Sequence, residues 1–97
     1  MAATKIRARV LRLHLKACYW DDIAAGTKPD EYRLCTPYWE KRLAGKVYDG
    51  IELLKGYPKR GDTSRTMARP WRGYVVDVIE HLHFGDAPVR VFAIRVN

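Results

Sequence analysis

Leu11, Leu13 and Leu15 alternate with Arg12, His14 and Lys16, the period-two pattern of a strand with one buried face. Ile6, Ala8 and Val10 are out of phase with those leucines, so residues 1–10 read as a strand extension through a bulge or as a basic arm. A short apolar segment follows, Tyr19-Trp20-Asp21-Asp22-Ile23-Ala24-Ala25, long enough for a two-turn helix. Gly26 just past it is suited to the left-handed position that ends a helix. Pro29 bars the helix from restarting, so the chain leaves in an extended conformation. Residues two apart in such a run share a face, which brings Glu31 and Arg33 together, with Lys28 at the turn before them. Thr36-Pro37 opens a second short helix, threonine as cap and proline in the first turn. Tyr38, Trp39 and Leu43 supply its buried side, and Gly45 ends it.

Ile51, Leu53 and Leu54 form the next strand, and residues 74–81 and 89–96 are the last two, joined through Phe84-Gly85-Asp86-Ala87-Pro88. Val89, Val91 and Ala93 oppose Phe92, Ile94 and Val96, so the final strand is apolar on both sides, as in a barrel wall with helices outside. Between Lys55 and Gly73 lies a long polar connection punctuated by Gly56, Pro58, Gly61 and Pro70. Connections of that length in compact domains are functional or disordered, and tyrosine and tryptophan alternating with arginine is not a linker composition.

At 97 residues the chain is one domain, residues 11–97, with room for a modest core and no internal repeat. No stretch approaches a membrane span, and the basic N-terminus lacks the apolar run of a secretory signal, so a cytoplasmic location is expected. Cys18 and Cys35 then read as buried thiols rather than a disulfide, and without a CxxC pair no zinc ribbon is signalled.

The formal net charge of +7 favours phosphate-bearing partners. One basic cluster is Lys5, Arg7, Arg9, Arg12 and Lys16. The other is Lys55, Lys59, Arg60, Arg65, Arg69 and Arg72, opposed only by Asp62. In the second, arginines can neutralise phosphates while Tyr57, Trp71 and Tyr74 offer rings on which unpaired bases stack. The competing readings are a solubilising surface for the charges and core packing for the rings, which is favoured for Trp71. Lys59, Arg60, Arg65, Arg69 and Arg72 are the candidate nucleic-acid contacts.

Gly26, Lys28, Glu31 and Arg33, in the order G-x-K-x-x-E-x-R directly after a short helix, resemble the signature of the ASCH domain family. Strand order and length fit that resemblance from Leu11 to Asn97. It implies an α+β fold, a small PUA-like β-barrel with short flanking helices, related to RNA-binding domains. It also implies that Lys28, Glu31 and Arg33 line a cleft between barrel and helices; Tyr19, which opens the helix next to the signature, is by its own position a candidate to reach in. The expected ligand is single-stranded or looped RNA, or a nucleotide within it, because an intact duplex hides its bases. Lys28 and Arg33 would meet phosphate or base edges, and Glu31 would orient them. The competing reading of the same three residues is an ion-paired latch.

Some stand-alone ASCH proteins of this size resemble amidohydrolases that remove the acyl group of acetylated cytidine. There the signature lysine activates a threonine three residues later, assisted by a downstream glutamate. Here Glu31 occupies the threonine position, Thr27 and Thr36 stand at other offsets, and Glu80 is the downstream candidate. A hydrolase, with Lys28 and Glu31 catalytic and Glu31 as base toward water, or a ribonuclease, is therefore the alternative to binding. A third class is a protein-interaction module with an acidic partner. No cofactor is implied. His81 and His83 share a strand face, but a third ligand would have to be His14 across the barrel, so no metal is expected.

Overall fold

The structure is a computed structural model and describes residues 9–97. The basic arm expected at residues 1–10, with Lys5 and Arg7, falls almost wholly outside the described residues. Strand β1 (Val10–Leu15) runs into helix α1 (Ala17–Ala24), then β2 (Asp30–Leu34), α2 (Pro37–Leu43) and β3 (Gly50–Lys55). A 3-10 turn at Thr63–Arg65 precedes β4 (Thr66–Arg69) and β5 (Tyr74–Ile79). A second, at Leu82–Phe84, precedes β6 (Val89–Arg95).

These strands make two three-stranded sheets, ordered β1-β3-β4 and β2-β6-β5. β1 and β3 are parallel, Leu11 opposite Ile51 and Leu13 opposite Leu53, so α1, β2 and α2 form the crossover between them. The leucine alternation of β1 is realised: Leu11, Leu13 and Leu15 are buried and Val10, Arg12 and His14 exposed. In the second sheet β6 lies in the middle, and Val91, Phe92, Ala93 and Ile94 are all buried, which explains its apolar residues on both faces.

One apolar core joins the two sheets. Leu11, Leu13 and Leu15 meet Ile51 and Leu53 from the first sheet and Phe92 and Ile94 from the second, while Ile23 of α1 and Leu43 of α2 close it. Each such side chain is worth about 2 kcal/mol by removal from water. Trp20 anchors α1 to the sheet by donating its indole N–H to the Leu53 carbonyl at 3.0 Å.

Four expectations need correction. The sheets do not close into a barrel: among the described residues no ladder joins β1 to β2 or β4 to β5. The connection after Lys55 is not structureless, because Asp62 caps the first 3-10 turn through Ser64 N and β4 pairs antiparallel with β3, Met67 opposite Leu53. Tyr38 is not core but 60% exposed. Trp39 and Leu43 are four apart on the inward stripe of α2, and Tyr38 falls about 100° around the helix from Trp39. Cys18 is exposed rather than buried, since the inward stripe of α1 is Tyr19, Trp20 and Ile23; both cysteines are free thiols. Among the described residues no helix is long and apolar enough to cross a membrane.

Candidate functional site

β1 and β2 are the edge strands of their sheets on the side where the two sheets meet, and a cleft of about 280 Å³ opens there. That size lies near the lower end of small-ligand pockets, roughly 300 Å³. His14 and Leu15 of β1 and Glu31, Tyr32, Arg33 and Leu34 of β2 line it. Tyr19 of α1, Lys28, and Thr36 and Trp39 at the start of α2 add further wall, and His81, His83 and Phe84 complete it. Because β2 is an edge strand, side chains from both of its faces reach the cleft.

The turn that delivers Lys28 is tightly specified. Gly26 has φ +80°, the left-handed conformation, and its N–H donates to the Ile23 carbonyl at 3.0 Å. The N–H groups of Thr27 and Lys28 both reach the Asp22 carbonyl, at 3.0 and 3.3 Å. Asn97 ties the far side: its Nδ2 donates to the carbonyls of Ile23 at 2.9 Å and Lys28 at 2.8 Å. Its Oδ1 accepts from Arg69 Nε at 3.3 Å.

Glu31 is 4% exposed and sits between two cations. Lys28 Nζ lies 3.5 Å from its Oε1, and Arg33 Nη2 lies 3.2 Å from its Oε2. A buried carboxylate is tolerated only with such compensation. Arg33 Nη2 also donates to the His14 carbonyl at 2.9 Å, a side-chain bridge where a closed barrel would have a ladder. The Arg33 guanidinium lies over Trp39, 5.1 Å from the ring centroid, and its Nε is buried without a hydrogen-bond partner among the described residues. Burial pulls the Arg33 pKa below the ordinary arginine value, against the opposing pull of Glu31, Tyr57 and Tyr38. Lys28 Nζ is held against Tyr32 at 4.6 Å and Tyr19 at 5.4 Å from the ring centroids, which adds cation–π attraction. Both hydroxyls are pushed up in pKa, Tyr19 by burial and then by Cys18 and Glu31, Tyr32 by burial and then by Asp30, Asp77 and Glu31.

Lys28, Glu31, Arg33 and Tyr19 therefore come together as the spacing implied. The basic residues of the 55–73 segment do not line this cleft. Arg65 pairs with Asp62 at 3.5 Å, and Arg69 is committed to Asn97. Arg72 borders a separate shallow depression beside Asp30 and Tyr74, and Lys59 and Arg60 are exposed. Trp71 and Tyr74 pack against the core, Trp71 between Tyr48 and Tyr74, whereas Tyr57 is 85% exposed. Glu80 is exposed and outside the cleft. The Thr36 hydroxyl lines the cleft but is engaged as the cap of α2, accepting from Trp39 N at 3.4 Å.

Most of the walls are hidden from sequence pattern: Trp39, His81, His83 and Phe84 carry no local signal for the site. Tyr32 carried one usable signal: it lies between two cleft residues on a strand that starts at a turn. The cleft thus has a charged floor, Lys28 and Arg33 against Glu31, and walls rich in aromatic rings. Flat apolar faces above hydrogen-bond donors suit a planar heterocycle bearing carbonyl or phosphate acceptors. No protein-family model matches the chain, and no curated protein and no solved structure matches it either.

Proposed function

We propose that this chain is an ASCH-like domain that binds a nucleotide of single-stranded or looped RNA in the cleft between β1 and β2. On that reading the two sheets correspond to the two halves of a PUA-like fold, unpaired between β1 and β2 and between β4 and β5. The observation that carries the proposal is the buried Glu31 carboxylate clamped between Lys28 and Arg33 at the floor of an aromatic-walled cavity. A latch needs no cavity above it. Here the ligand base lies between aromatic side chains, and acceptors on the base or its phosphate meet Lys28 Nζ and the Arg33 guanidinium. Glu31 fixes both cations and keeps them from repelling each other.

The hydrolytic alternative has less support from the same geometry. Each Glu31 oxygen already faces a cation, the Thr36 hydroxyl caps a helix, and Glu80 lies outside the cleft. Among the described residues a nucleophile, its activator and a second carboxylate are not assembled together.

The test is titration of labelled single-stranded RNA into the wild-type protein and Lys28→Ala over a range of salt, with a parallel incubation with acetylated cytidine. Binding is expected to weaken with salt and to fall at least tenfold (about 1.4 kcal/mol) in Lys28→Ala. Release of cytidine by the wild type but not by Lys28→Ala would instead establish the hydrolase.

A further inference from the structure

Tyr57 presents a ring that contributes little to the fold yet is held in one place. It is 85% exposed, but one face is stacked on His14 with centroids 4.4 Å apart and ring planes 18° from parallel. His14 is itself fixed: its Nδ1–H donates to the Gly56 carbonyl at 2.8 Å, since a carbonyl can only accept. The Gly56 N–H donates to the Leu15 carbonyl at 2.8 Å, and its φ of +63° turns the chain so that Tyr57 folds back over His14. The His14 carbonyl in turn holds Arg33 at the cleft floor. His14 lines the cleft and Tyr57 does not, so the stacked ring stands just outside the cleft, with its outer face open to water.

Lys59 and Arg60 follow directly, both exposed, and neither forms an ion pair among the described residues. An immobilised aromatic face next to uncommitted cations is the arrangement that stacks an unpaired base and tracks the following phosphate. Resting on the cleft assignment above, we infer that Tyr57 forms a second nucleotide subsite: the base adjacent to the one in the cleft stacks on its outer face, and Lys59 and Arg60 take the phosphate beyond. The ligand is therefore an oligonucleotide rather than a free nucleoside.

The test compares, by calorimetric titration, nucleoside monophosphates, the corresponding dinucleotides and dinucleotides whose second residue is abasic. The second base is expected to raise affinity about tenfold over the abasic form, within the range of one base–aromatic stack. Tyr57→Ala is expected to abolish that gain, and Tyr57→Phe to keep it. Both variants are expected to bind monophosphates as the wild type does. A gain that survives Tyr57→Ala, or an abasic dinucleotide that binds as well as the intact one, overturns the second subsite and leaves the cleft assignment standing. If the folded protein binds neither monophosphates nor dinucleotides, the cleft assignment falls and the subsite with it.

Discussion

Arg33 donates through Nη2 to the backbone carbonyl of His14 at 2.9 Å, and this one bond spans the gap between the edge strands of the two sheets. The same nitrogen lies 3.2 Å from Glu31, so the side chain that bridges the two sheets also anchors the buried carboxylate. Structure and site are here one set of contacts, and substitutions at the floor are expected to register in both.

Glu31→Gln removes the negative charge and leaves Lys28 and Arg33 close together without compensation. A loss of about 3 kcal/mol is expected in denaturant unfolding, as for a buried pair deprived of one partner. Arg33→Lys is expected to recover only part of the loss seen in Arg33→Ala, because an ammonium cannot reproduce the planar fork that serves Glu31 and His14 and lies over Trp39.

Gly26→Ala tests the turn. A Cβ at this position meets nothing within 4 Å, so crowding plays no part and the penalty is that of placing an L-residue at φ +80°. The expected destabilisation is about 1–2 kcal/mol. An unchanged unfolding midpoint would show that the turn yields easily and does not position Lys28.

Asn97→Ala removes the two hydrogen bonds that tie the end of α1 and the Lys28 carbonyl to the C-terminal strand region. A loss of about 2 kcal/mol is expected, near 1 kcal/mol for each of these two bonds, and the longer bond that Asn97 Oδ1 accepts from Arg69 at 3.3 Å is lost with them. Hydrogen exchange at the Thr27 and Lys28 amides should speed up more than exchange at Leu13 or Leu53.

The raised pKa values of Tyr19 and Tyr32 set an alkaline limit. A group held protonated by the fold stabilises it fully below its unfolded pKa, about 10 for tyrosine, and that stabilisation disappears as pH rises through the higher folded value. Stability should therefore decline above about pH 10. Tyr19→Phe and Tyr32→Phe should each flatten the decline, as followed by unfolding at a series of alkaline pH values.

What the sequence made legible was local. The end of α1 at Gly26, the exit at Pro29 and the shared face of Glu31 and Arg33 need only backbone rules and neighbours in the chain. The leucine alternation of β1 and the doubly apolar β6 were equally readable, because burial imposes a period on each strand separately. The cleft walls were not, since Trp39, His81, His83 and Phe84 come to share a cleft with Lys28 only through tertiary packing. β4 escaped notice for a related reason: Thr66-Met67-Ala68-Arg69 has no strong alternation and becomes a strand by pairing with β3. Closure of the sheets was likewise outside the reach of pattern, which shows strands but not which edges remain free.

The most direct test of the central claim is to map backbone amide shifts of the protein by nuclear magnetic resonance while titrating a short single-stranded RNA. The largest changes are expected at Tyr19, Lys28, Tyr32, Arg33 and Trp39, with further changes at His14 and Tyr57. Changes confined to Arg65, Arg69 and Arg72, with the residues around Glu31 undisturbed, would contradict that claim.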